Sequence, residues 1–191
     1  ARAQLIADLE AALAEHPEQE EFALLLGLAS LWRVAESYWL DSLNPLILLE
    51  SVQRAESALV TAYELCPTDH RIPAWLGPIR IRMGRMLGDD AVLQAGFEIL
   101  EQGVEHYPGF VLFSKFLVHA DLKATDPDFL GAVEAVRKNA EYCGTPTTTL
   151  STDPACRNHF RAPRNVEGSA VFLGDMYAKA QDKAAALDVY A

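Results

Sequence analysis

Apolar positions recur along most of this chain at intervals of three and four, the period of a helix with one buried face. Leu5, Ile6, Leu9 and Leu13 keep that spacing over residues 3–16, and Pro17 closes the segment. Residues 20–40 read as a long apolar helix bearing Trp32, Tyr38, Trp39 and Leu40, and Asp41-Ser42-Leu43-Asn44-Pro45 breaks it. The spacing then predicts helices over about 47–66, 70–87 and 89–106, with Pro67 and Pro108 as stops and Gly88-Asp89-Asp90 as the turn between the last two. Beyond Pro108 the pattern degenerates: Phe110, Phe113, Phe116 and Leu117 share a helical face, and a further helix runs from about 127 to 142 and ends near Cys143-Gly144. The Thr-rich stretch after it continues through an Arg-rich one to Pro163, about twenty residues without helical periodicity. Loops of that length inside compact domains carry function or lack order. A last helix is expected to begin near Asn165 or Val166.

Leu173-Gly174-Asp175-Met176-Tyr177, followed by Ala186 and Tyr190, carries the pattern L-G-x2-Y … A-x3-F/Y. Gly174 and Ala186 are small where two antiparallel helices must come close, and Leu173, Tyr177 and Tyr190 fill the space around them. Leu26-Gly27 follows Pro17, and Leu76-Gly77 follows Pro67, at one common offset, that from a repeat's closing Pro to the next Leu-Gly. Ala58, Ala62, Tyr63, Leu65 and Pro67 look like the closing half of such a unit. On these residues the chain resembles the tetratricopeptide-repeat (TPR) superfamily. The resemblance implies an all-α fold, an irregular stack of antiparallel helical hairpins in a single domain over 1–191, with an irregular loop at about 144–164. Gly27, Gly77 and Gly174 are not spaced at the 34 residues of the standard repeat. Longer helices or inserted loops are therefore expected, and a compact stack in place of a regular superhelical groove. In repeat proteins of this kind a concave face presents the first helix of each hairpin to a partner. Carried over residue by residue, that face holds Arg71, Ala74, Pro78 and Ile81 in one unit and Gly168, Val171, Asp175 and Ala178 in the last. Both sets are poor in the charged clamps that grip a peptide carboxylate.

The 191 residues are 50% apolar, which suits a folded chain. No apolar run approaches the ~20 residues of a membrane span. A net charge of −11, from 16 basic and 27 acidic side chains, argues against a nucleic-acid binder, which needs a basic face. The chain starts at Ala1 without Met, as after removal of a signal peptide or by trimming, and Ala191 falls within a predicted helix.

Chemistry-bearing residues are few. Cys143 and Cys156 flank the Thr-rich loop, and a disulfide between them would staple the part of the chain least able to hold itself by packing, with export to an oxidising compartment (periplasmic or secreted) as the corollary. Three reduced thiols in a cytosolic protein are the alternative, and Cys66 reads as core in either case. Cys156 and His159 have the spacing of two metal ligands but lack a second pair. Arg157, His159, Arg161 and Arg164 concentrate positive charge ahead of a predicted helix start, a candidate anion or partner site. No nucleophile elbow, zinc-protease or phosphate-loop motif is present. Neither cofactor nor metal is implied, and a non-enzymatic interaction protein for a protein or peptide partner is the expectation. A carrier of an apolar, lipid-like molecule is the second reading: Trp32, Trp39, Phe113 and Phe116 would wall its cavity, and a mean hydropathy of +0.03 is high for a repeat scaffold.

Overall fold

Pro17 and Pro67 end the helices before them in the same way, and the two turns they make organise the first half of the fold. The computed structural model describes residues 2–36, 44–106, 111, 114–115, 118, 129–143, 171 and 174–190. Its helices are α1 (Arg2–Glu15), α2 (Glu20–Glu36), α3 (Pro45–Leu65), α4 (Pro73–Leu87), α5 (Asp90–His106), α6 (Phe129–Cys143) and α7 (Lys183–Tyr190). Val111, Ser114, Lys115, Val118, Val171 and residues 174–179 are helical as well, and no strand occurs among the described residues. The fold is all-α among the described residues, and the bounds of α1, α3, α4, α5 and α6 lie within a few residues of those the hydrophobic period predicts. The expected end of the second helix near 40 and the start of the last near 165 lie outside the described residues.

At the first proline turn His16 donates its N–H to the Ala12 carbonyl (2.9 Å), Gln19 to His16 (3.1 Å) and Phe22 to Gln19 (3.2 Å). Fifty residues on, Cys66 donates to Ala62 (2.9 Å), Asp69 to Cys66 (3.0 Å) and Ile72 to Asp69 (3.1 Å). A residue before proline is driven out of the helical region, and Cys66 sits accordingly at φ −138°, ψ 76°. The two proline turns thus share one hydrogen-bond pattern at a 50-residue offset, the offset that also separates Gly27 from Gly77.

A second kind of turn also occurs twice. Gly88 (φ 66°) and Gln181 (φ 64°) both adopt the left-handed conformation that reverses a chain at a helix end. Asp89 then donates to the Gly84 carbonyl and Asp182 to that of Tyr177, each at 2.9 Å. Each aspartate caps the helix that follows: its Oδ1 accepts from the N–H of Val92 or of Ala185, at 3.1 Å in both cases.

The chain forms two compact units, Ala1–Gly96 and Phe97–Ala191, and the division falls inside α5. Within the first, α2 packs most extensively on α3, and α1 packs on α2. Ile6, Leu26 and Ala58 meet there, joined by the half-buried Leu9, Leu13 and Ala29. Glycine sets the helix spacing. A Cβ on Gly27 would lie 2.6 Å from Leu59 Cγ, one on Gly84 2.5 Å from the backbone nitrogen of Leu93, and one on Gly96 2.8 Å from that of Ile81. The last two contacts make α4 and α5 an antiparallel pair in backbone contact. Completely buried Leu59, Ile72, Leu76 and Ile81 fill this unit, each contributing roughly 1.5–3 kcal/mol relative to an exposed side chain.

In the second unit Phe129 and Val111 are fully buried, and Lys179 places its ammonium 5.3 Å from the centre of the Phe129 ring. α6 carries a ladder of charge along its outer side, Glu134 pairing with Arg137 (2.8 Å) and Lys138 (3.6 Å), and Arg137 also with Glu141. Hydrogen bonds from Arg137 hold the Glu134 carboxyl below its ordinary value. At the surface such pairs are worth a few tenths of a kcal/mol each.

Candidate interaction face

The two helices that follow the proline turns, α2 and α4, carry the candidate face. Across the 50-residue offset Glu21 is equivalent to Arg71, and these two side chains are ion-paired, Nη2 to Oε2 at 3.5 Å. Equivalent points of successive units therefore lie side by side at the N-terminal ends of α2 and α4. Arg71 is also gripped by Asp69, which accepts from its backbone N–H (3.0 Å), its Nε (2.9 Å) and its Nη2 (2.6 Å). Burial pushes the Asp69 carboxyl up, but the hydrogen bonds and charge of Arg71, with a smaller contribution from His70, outweigh it and leave the group below its ordinary value. Hydrogen bonding to Asp69 raises the Arg71 guanidinium in turn. Asp69, exposed over 10% of its side chain, and Arg71, over half, form a fixed clasp between the turn and α2.

From that clasp a stripe runs along each helix on the side opposite its buried face. On α2 it holds Glu21, Leu25, Leu28 and Trp32, and opposite them, position for position, Arg71 in the turn before α4 and then Trp75, Pro78 and Arg82 on α4. All eight are half-buried or exposed. The buried sides lie elsewhere: Ala23, Gly27 and Ser30 on α2, and Ala74, Gly77, Ile81 and Gly84 on α4. Pro78 sits inside α4, where it has no N–H to give to the Ala74 carbonyl.

The residues expected on a concave face divide accordingly. Arg71 and Pro78 keep accessible surface, but Ala74 and Ile81 are fully buried. Ile81 lies directly beneath Gly96 of α5, and Ala74, seven residues earlier on the same side of α4, is buried with it. In the last unit Val171, Asp175 and Ala178 are exposed on one side of their helix, while Gly168 lies outside the described residues. Of the proposed cavity walls, Trp32 is 63% exposed near the end of α2. Trp39, Phe113 and Phe116 lie outside the described residues, as do Arg157, His159, Arg161, Arg164 and Cys156. Cys66 is a free thiol at the C-cap of α3, with its Sγ 3.6 Å from the Thr68 hydroxyl. Cys143 is buried at the end of α6.

The sequence reading placed Arg71 on a binding face and missed its pairing with Glu21. The signal was the shared 50-residue spacing of Pro17 to Pro67 and Gly27 to Gly77, which aligns residue 21 with 71. Among the described residues no three His, Cys, Asp or Glu side chains converge as a metal-ligand set, and no helix is long and apolar enough to cross a membrane. No family model, curated protein or solved structure matches the chain.

Proposed function

We propose that this protein is a TPR-like, non-enzymatic interaction module that binds a protein or peptide partner on the outward stripes of α2 and α4. One observation carries the reading. The Glu21–Arg71 pair joins equivalent positions after two proline turns that share one hydrogen-bond pattern, as expected where stacked repeats build a continuous surface from corresponding side chains. The stripes beyond the pair are mostly apolar and lie outside the core, as a binding face requires. The exposed Val171, Asp175 and Ala178 supply a second such surface in the last unit.

Cys143 and Cys156 form a disulfide in this reading, and the protein works in an oxidising compartment, periplasmic or extracellular. Support comes from the sequence, where the two cysteines flank the Thr-rich stretch that has no helical periodicity to hold it by packing. The test of function is capture from the native source on immobilised protein, wild type against Leu28→Glu, with native mass spectrometry of the purified chain alongside. A protein retained stoichiometrically by the wild type and lost with Leu28→Glu is the expected result. An apolar molecule of a few hundred daltons copurifying with the chain, and no such protein, would replace this reading with that of a lipid carrier.

A further inference from the structure

Residues 1–96 contain 14 acidic and 7 basic side chains and no lysine. Arg54 is committed to Glu10, Arg71 to Asp69 and Glu21, and Arg80 to Glu56, and Arg82 and Arg85 have partners as well. The carboxylates are not evenly spread. Glu15, Glu18, Glu20 and Glu21 lie within seven residues around the first proline turn, exposed or half-exposed, where the stripe on α2 begins. One of the four, Glu21, is paired with Arg71, and Glu18 lies 4.0 Å from His16. The candidate face is therefore apolar between its ends, with surplus carboxylate at the end beside the first proline turn and Arg82 at the far end of the α4 stripe.

We propose that its occupant is an amphipathic helix of a protein partner, with an apolar side over Leu25, Leu28, Trp32, Trp75 and Pro78 and with lysine or arginine at the end that meets Glu15, Glu18 and Glu20. The inference rests on the functional reading above and names the chemistry of the partner. Length agrees. From Glu21 to Trp32 the stripe spans about 17 Å at 1.5 Å per residue, three turns of helix, and an apolar helical side repeats at the same three- and four-residue steps as the stripe itself. Charge agrees as well. A peptide held by its carboxylate needs an uncommitted cation at the head of the groove, and the guanidinium there is locked to Asp69. A basic end instead meets surplus carboxylate and gains both on-rate and orientation. Two antiparallel placements are then unequal, because only one brings unlike charges together.

The test uses the intact protein and synthetic helical peptides of about four turns. One carries a leucine face and a lysine-rich end, the second has the lysines replaced by glutamate, and the third is a scramble of the first. Tryptophan fluorescence and calorimetry read binding. The lysine peptide is expected to bind, to weaken with added salt, and to bind at least about tenfold tighter than the glutamate peptide. Trp32→Ala, at an exposed position, and Leu28→Glu should each weaken it about tenfold. Glu18→Lys with Glu20→Lys should remove most of the salt dependence. Equal binding of the lysine and glutamate peptides overturns the inference, as does lysine-peptide binding that survives Trp32→Ala in a protein with unchanged circular dichroism. If no peptide binds while capture from the native source still depends on Leu28, the partner is not such a helix and the interaction reading stands. If capture is also indifferent to Leu28, that reading falls too.

Discussion

Among the described residues, Gln181 is the one whose conformation its side chain does least to favour. It turns the chain at φ 64°, where its structural counterpart Gly88 has φ 66°. A left-handed residue with a Cβ costs roughly 1–2 kcal/mol that glycine avoids, offset in part by the greater entropy of unfolded glycine. Gln181→Gly should therefore raise stability by about 1 kcal/mol, visible as a shift of the urea midpoint with an unchanged slope. At Gly88 the open space around the Cα does not help, because the strain lies in φ itself, and Gly88→Ala should cost about 1 kcal/mol. Asp69 makes a prediction in pH. Its folded carboxyl lies below the ordinary value of 3.8, so the unfolded chain binds the proton first as pH falls. The stabilisation is complete above the unfolded value and is lost as pH drops through the folded one. Urea midpoints between pH 7 and pH 2 should fall more steeply for the wild type than for Asp69→Asn, which starts lower and has less to lose. Glycine, proline and aspartate announced their turns in the sequence because each has one strong local preference. Gln181 gave no such sign, since its conformation is imposed by the turn and by Asp182 capping α7.

Between elements, stability depends on where glycine lets helices touch. Gly27→Ala would drive a Cβ to 2.6 Å from the Cγ of Leu59, a fully buried side chain, and overpacking of this kind costs about 1–3 kcal/mol. Gly84→Ala meets backbone, the nitrogen of Leu93 at 2.5 Å, and can be relieved only by moving α5 away from α4. Its cost should reach or exceed about 3 kcal/mol. A pair of double-mutant cycles separates the two cases. Leu59→Ala should recover part of the loss at Gly27, whereas Leu93→Ala should recover little at Gly84, where the obstacle is main chain. The turn before α7 solves the same packing problem with sizes exchanged: Tyr177 and Ala186 hold the positions of Gly84 and Leu93. Helix extents were legible because period and stop signals agree, as at α1 and α5. Side-chain facing was less so. Ala74 and Ile81 match a binding face by motif, but the approach of α5 over Gly77 and Ile81, a long-range contact without local signature, turns that side of α4 into core.

At the scale of the whole molecule the two compact units differ in how they are held. The first, Ala1–Gly96, has α1 to α4 packed around Leu26, Leu59 and Leu76, ion pairs linking α1 to α3 and α3 to α4, and a cysteine that stays free. Such pairs add little energy at the surface but fix the register of helices already packed. The second unit contains Cys143 at the end of α6, and in the proposed reading Cys156 bonds to it across an intervening stretch whose composition offers no helical face. Closing a loop of this length removes unfolded-state entropy worth roughly 3 kcal/mol, all of it credited to the second unit. A reductant should then act unequally. By hydrogen exchange with mass spectrometry, amides in α6 should lose protection on reduction while those in α2 and α3 keep theirs. The intact mass before reduction should lie about 2 Da below that of three free thiols. Uniform loss of protection would mean that the units unfold as one, and unchanged mass would remove the disulfide together with the argument for an oxidising compartment. A selective loss would place the interaction face of α2 and α4 on a body whose stability does not depend on redox state. Binding of a helical partner there should then survive reductant, which the same peptide titration measures directly.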